Sequence, residues 1–165
     1  MSDHNKENGT WKRGVVFLKE IVPRFALTFV ANTVYGENYE TRPMAHSWTQ
    51  EADRLEVEYS WKKKDWHRFR ISAAPVPVAI ETGSEHEFIT EHYWGYTQLN
   101  ATATSQYEVQ HPRWMCYPVN DYSIEVDFGA VYGEAFSFLS GLKPQSVLLA
   151  EGSEVSVKAG HRIRV

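Results

Sequence analysis

The sequence predicts an α+β fold made mainly of antiparallel strands. Three observations carry this: short apolar/polar alternations recur along the chain, turn-forming residues separate them, and only two or three stretches carry helical spacing or caps. Residues 1–12 are polar apart from Met1 and Trp11 and are expected to form a flexible tail before one domain over 13–165. Val15 to Leu18 suit a buried strand. Pro23 then precedes a segment, Arg24 to Tyr35, that is apolar nearly all round, with Gly36 placed to end it; this predicts a helix lying across a sheet face.

Leu55, Val57, Tyr59 and Trp61 alternate with polar residues, as do Phe69, Ile71 and Ala73, on either side of a polar turn at Lys62 to Trp66. Apolar residues share one face of this hairpin only if paired positions sum to an even number. The expected register sets Val57 opposite Phe69, Glu56 opposite Arg70 and Glu58 opposite Arg68. Ser84 followed by Glu87 is the reciprocal cap of a short helix over Ser84 to Glu91. Tyr93 to Leu99 and Thr102 to Gln110 suggest two strands around Asn100, and Ser123 to Phe128 another. Phe128 to Leu139 is weakly helical and ends at Gly141, and Ser146 to Ala150 with Glu154 to Lys158 suggest a second hairpin.

At 165 residues and 42% apolar content the chain is long enough for one ordinary core. A net charge of -4 with scattered basic residues gives no electrostatic reason to bind nucleic acid or an anionic membrane surface. No apolar run is long enough for a transmembrane helix, the first ten residues do not resemble an export signal, and the single cysteine, Cys116, forms no internal disulfide. A cytoplasmic location is the expectation. Glycine-rich phosphate loops and nucleophile elbows are absent, and His86 and His92 lie six apart without a third ligand in a familiar motif. No metal and no cofactor are expected.

From Gly14 onward the chain resembles the YqjF-like proteins of the acetoacetate decarboxylase-like superfamily. The resemblance rests on Gly14-Val15-Val16-Phe17, on Val34-Tyr35-Gly36-Glu37-Asn38-Tyr39 through Arg42-Pro43-Met44, on Phe88-Ile89-Thr90-Glu91-His92-Tyr93 with Tyr96-Thr97, and on His111-Pro112-Arg113-Trp114. It implies a cone-shaped, mostly antiparallel β-barrel around a central pocket. Because the chain enters the pattern near Gly14, the barrel is expected to be incomplete, with self-association as a homo-oligomer covering the exposed strand edge.

Acetoacetate decarboxylase chemistry needs an inward-facing amine with a depressed pKa to form a Schiff base. There is no lysine between Lys19 and Lys62, and Arg42 cannot substitute, because guanidinium stays protonated. The adjacent Lys62, Lys63 and Lys64 belong to a solvated turn. The expected site is a pocket for an unidentified small molecule, a carbonyl or carboxylate compound. Glu91 and His111 would be its acid–base pair, Arg42 its anion anchor, and Tyr93, Tyr96 and Trp114 further contacts, with Arg42, Glu91 and His111 lining one cavity. Alternation puts Tyr93 and Tyr96 on opposite strand faces, so only one of them would face it. The alternative is a non-catalytic ligand-binding or scaffold domain in which Glu91 and His111 satisfy buried polar groups.

Overall fold

The computed structural model of the chain describes residues 4–7, 10–35 and 38–164. Strands β1 (His4–Glu7), β2 (Thr10–Val16) and β3 (Glu20–Val22) precede helix α1 (Phe25–Val30), which runs on into a π-helical turn over Ala31–Tyr35. β4 (Tyr39–Thr41), β5 (Met44–Gln50), β6 (Leu55–Lys63), β7 (Asp65–Ala73) and β8 (Val78–Ala79) lead to α2 (Glu85–Thr90). There follow β9 (Trp94–Asn100), β10 (Ala103–Gln110), β11 (Met115–Tyr117), β12 (Val119–Glu125), α3 (Phe128–Tyr132) and a 3-10 turn over Glu134–Leu139. β13 (Leu149–Ala150), β14 (Ser156–Val157) and β15 (His161–Arg164) complete the described elements. The expected α+β class with mainly antiparallel strands is present, and no sheet closes on itself among the described residues. No described helix is long and apolar enough to cross a membrane.

The chain forms two compact units, Met1–Thr41 with Glu81–Arg113 and Ser153–Val165, and Arg42–Ile80 with Trp114–Gly152, so the stretch expected as one domain contributes to both. In the first unit the strand order is β1-β2-β9-β10-β14, with β15 also on β10. The segment expected to be a tail carries β1, which pairs antiparallel with β2 from His4 opposite Arg13 to Glu7 opposite Thr10. Beyond it, Gly14 to Val16 run parallel to Trp94 to Tyr96 of β9. Two glycines make that sheet possible. A Cβ on Gly95 would fall 2.4 Å from the ring of Tyr107, its partner on β10, and one on Gly14 would fall 2.5 Å from the ring of Tyr96. Each tyrosine ring therefore covers a glycine, supplying packing that the glycine cannot. At the β9–β10 turn the Thr102 N–H donates to Asn100 Oδ1 at 2.9 Å, which explains the asparagine there. Helix α1 differs from expectation: Phe25 and Phe29 are 70% and 59% exposed, with their rings 6.3 Å apart, so this face of α1 is open to solvent. The expected stop, Gly36, lies outside the described residues.

The second unit is built on the sheet β12-β7-β6-β5, with the smaller sheet β13-β11-β8 beside it in sequence. Its core is Leu55, Val57, Ala73 and Leu149, with Ile71, Tyr117 and Val119 packed against them. The β6–β7 hairpin keeps the expected parity but slips by two residues: Val57 faces Ile71 and Glu58 faces Arg70. Lys64 causes the slip. It occupies the left-handed region at φ 62° and turns the chain by itself, between Lys63 and Asp65, where a longer turn was expected. Glu58 now takes Arg70 on two nitrogens, at 2.7 and 3.1 Å, and Arg68 diagonally at 3.5 Å, while Glu56 turns to Arg54 at 3.2 Å. The second expected hairpin does not form. β13 pairs with β11, whereas β14 pairs with β10 in the other unit. Two-residue pairings of this kind carry too little alternation to reveal their partner in sequence.

Beyond Phe69, the apolar side of β7 continues to His67, which is 3% exposed. Its Nδ1 accepts the Asp127 N–H at 3.3 Å, so in the neutral ring Nε2–H donates to the Lys63 carbonyl, also at 3.3 Å. Asp127 caps α3 by accepting the Ala130 N–H at 2.8 Å, and Lys63 Nζ donates to the carbonyl of Val131 at 3.2 Å. The hairpin turn thus fixes where α3 begins.

Candidate functional site

Helix α2 is short and depends on its caps. Ser84 Oγ accepts the Glu87 N–H at 3.2 Å as the sequence predicts, and the return bond falls one residue earlier than in the usual reciprocal cap, with Glu87 Oε2 accepting the Gly83 N–H at 2.7 Å. The other oxygen of Glu87 accepts from Arg113 Nη2 at 2.7 Å, which ties α2 to the segment after β10. The Gly83 N–H and the Arg113 guanidinium hold the Glu87 carboxyl below its usual range, burial opposing them. Arg13 lies over the Phe88 ring at 5.0 Å on the same helix.

Just past this helix, the Glu91 N–H closes its last turn on the Glu87 carbonyl at 3.0 Å. Glu91 Oε2 accepts a short hydrogen bond from the Tyr93 hydroxyl, while the buried Oε1 meets no donor among the described residues. The bond to Glu91, then burial, then the carboxylate charge push the Tyr93 phenol up to about 12. Tyr93 is anchored to β10 through its carbonyl, which accepts the Val109 N–H at 2.9 Å, and its ring stacks on His111 at 5.0 Å and 28°. His111 Nδ1 lies 2.8 Å from the Pro112 carbonyl. Only a protonated Nδ1 can donate there, so the neutral ring carries its lone pair on Nε2.

Of the six residues singled out in the sequence, Glu91, Tyr93 and His111 therefore form one string. Tyr96 is placed differently: its ring covers Gly14, on the strand face that bears Trp94. Arg42 and Trp114 belong to the second unit, where Arg42 Nε is buried and Trp114 half-buried. Glu87 and Arg113 were overlooked as neighbours of the string. Arg113 stood within the His-Pro-Arg-Trp motif, but Glu87 signalled only a cap. His92 Nδ1 lies 2.9 Å from the Ile89 carbonyl and its ring meets Phe88 edge-on, and no group of three His, Cys, Asp or Glu fit for a metal occurs among the described residues.

No curated protein and no solved structure matches the chain. A family model does, over residues 4–154, beginning upstream of the Gly14 motif and covering all three residues of the string but not β14 and β15. On that match the chain belongs to DUF2071, a family described as an uncharacterised conserved protein.

Proposed function

We propose that Glu91, Tyr93 and His111 form the centre of a small-molecule site, in an acetoacetate decarboxylase-like protein that handles carbonyl or carboxylate compounds by proton transfer rather than through an imine. The observation that carries this is the half-buried Glu91 carboxylate, with one oxygen oriented by a phenol that stays protonated and the other, itself buried, without a donor among the described residues. Tyr93 acts here as a donor that aims Glu91, and His111 offers a second acid–base group stacked on the same ring. The lysines support the absence of imine chemistry. Lys12 lies over the Trp94 ring, Lys19 and Lys158 contact the carboxylates of Glu40 and Glu108, Lys63 a backbone carbonyl, and Lys62, Lys64 and Lys143 are exposed.

Two measurements test this. Borohydride trapping with acetoacetate should leave the intact mass unchanged, and a stoichiometric adduct on one lysine would overturn the reading. A thermal-shift screen of small carbonyl and carboxylate compounds should find stabilisation that Glu91→Gln removes; a compound at 100 times its Kd adds about 2.7 kcal/mol. One observation favours a non-catalytic scaffold, namely that the Tyr93 hydroxyl is already satisfied within the protein. A screen in which no compound stabilises the chain would decide for that alternative.

A further inference from the structure

The polar face of the sheet β12-β7-β6-β5 carries an open groove of about 290 Å³, separate from the site above. It exists because short side chains sit among long ones. Ser72 on β7 has Glu56 of β6 opposite it on one side and Asp121 of β12 on the other, and in the next row Arg70 lies between Glu58 and Ser123. With strands about 4.8 Å apart, the two carboxylates flank Ser72 from backbones separated by about 10 Å.

Charge pairing decides what the groove lacks. Arg70 closes on Glu58 through Nε and Nη2 at 3.1 and 2.7 Å, and Arg54 is held by Glu56 at 3.2 Å and Glu51 at 3.6 Å. The Asp121 side chain has neither a hydrogen bond nor an ion pair among the described residues. Each guanidinium has its carboxylate, and Asp121 is the charge left over. The unused capacity is therefore acceptor capacity: the Asp121 carboxylate and the hydroxyl lone pairs of Ser72 and Ser123. An anionic ligand would meet two guanidinium groups whose charge Glu58, Glu56 and Glu51 already neutralise. A hard divalent cation prefers six or more oxygens, and no cluster of three metal-ligating side chains occurs among the described residues.

We propose that this groove binds small primary amines, with the ammonium seated over Ser72, paired with Asp121 and shared with Glu56 Oε2, the oxygen that Arg54 leaves. An ammonium supplies three N–H donors and one positive charge to a row that offers the unpaired Asp121 carboxylate, the Ser72 hydroxyl and the Glu56 oxygen that Arg54 leaves.

The test is an amide-resolved NMR titration of the full chain with ethanolamine hydrochloride, alongside ethylene glycol, tetramethylammonium chloride and magnesium chloride at matched ionic strength. Saturable shifts at Ser72, Asp121 and Ser123 are expected with ethanolamine alone. Asp121→Asn should weaken binding about tenfold, and Glu56→Gln less, with the rest of each variant's spectrum unchanged. Shifts that fail to saturate, that tetramethylammonium reproduces, or that persist in Asp121→Asn would overturn the proposal. Tighter saturation by magnesium at the same amides would replace the amine with a metal ion and overturn it equally.

Discussion

Replacing His67 with leucine removes its two hydrogen bonds, to the Lys63 carbonyl in the β6–β7 turn and from the Asp127 N–H at the start of α3, while leaving a side chain of similar bulk between Trp61 and its neighbours. Each bond contributes about 0.5–1.5 kcal/mol net, and each partner left unsatisfied beside a buried side chain costs about 1–3 kcal/mol, so the loss should be about 2–4 kcal/mol. With a urea m-value near 2 kcal/mol/M, the unfolding midpoint should fall by about 1–2 M. Asparagine places an oxygen near the position of Nδ1 and can keep the Asp127 bond, whereas glutamine reaches toward the position of Nε2 and can keep the bond to Lys63. Each should recover about half of the loss. A leucine variant within about 0.5 kcal/mol of the parent, or an asparagine variant no better than leucine, would refute the role assigned to this histidine.

Gly95→Ala drives a methyl group into the Tyr107 ring and should cost about 1–3 kcal/mol by chemical denaturation, and most of this should return in the Gly95→Ala, Tyr107→Leu double variant. Tyr93 should appear in a spectrophotometric pH titration as a phenol ionising near 12, a component absent from Tyr93→Phe and moved down in Glu91→Gln. Its native pKa lies above the unfolded value of about 10, so its contribution to stability is complete below about pH 10 and is lost as the pH rises toward 12. Equal pH dependence in the parent and Tyr93→Phe would count against it.

Sequence reasoning succeeded where the physics is local. The Ser84–Glu87 cap needs only four residues, and the parity of the β6–β7 hairpin follows from keeping one face apolar. Parity does not set register, which depended on Lys64 adopting a conformation that lysine rarely takes and that composition does not announce. His67 was within reach. Extending the alternation of Phe69, Ile71 and Ala73 by one step places it on the buried face, but the apparent polar turn ended the count too soon. At the candidate site, Glu91, Tyr93 and His111 lie in motif stretches that meet where β9 begins and β10 ends. The Glu87–Arg113 pair joins positions 26 apart, which no spacing rule connects.

The first unit draws on three separated stretches, and its strand β10 has β9 on one side and β14 with β15 on the other. During synthesis β10 emerges soon after β9, but its second edge waits for residues about 50 positions further on, as the Glu108–Lys158 contact illustrates. At about 5–20 residues per second that edge stays bare for several seconds on the ribosome. It is a row of unpaired N–H and C=O groups, able to capture the matching segment of a neighbouring nascent chain. A polypeptide released before Ser156 would keep that edge permanently, so truncated products should exchange strands or aggregate, and yield of the intact chain should depend on holdase chaperones during those seconds.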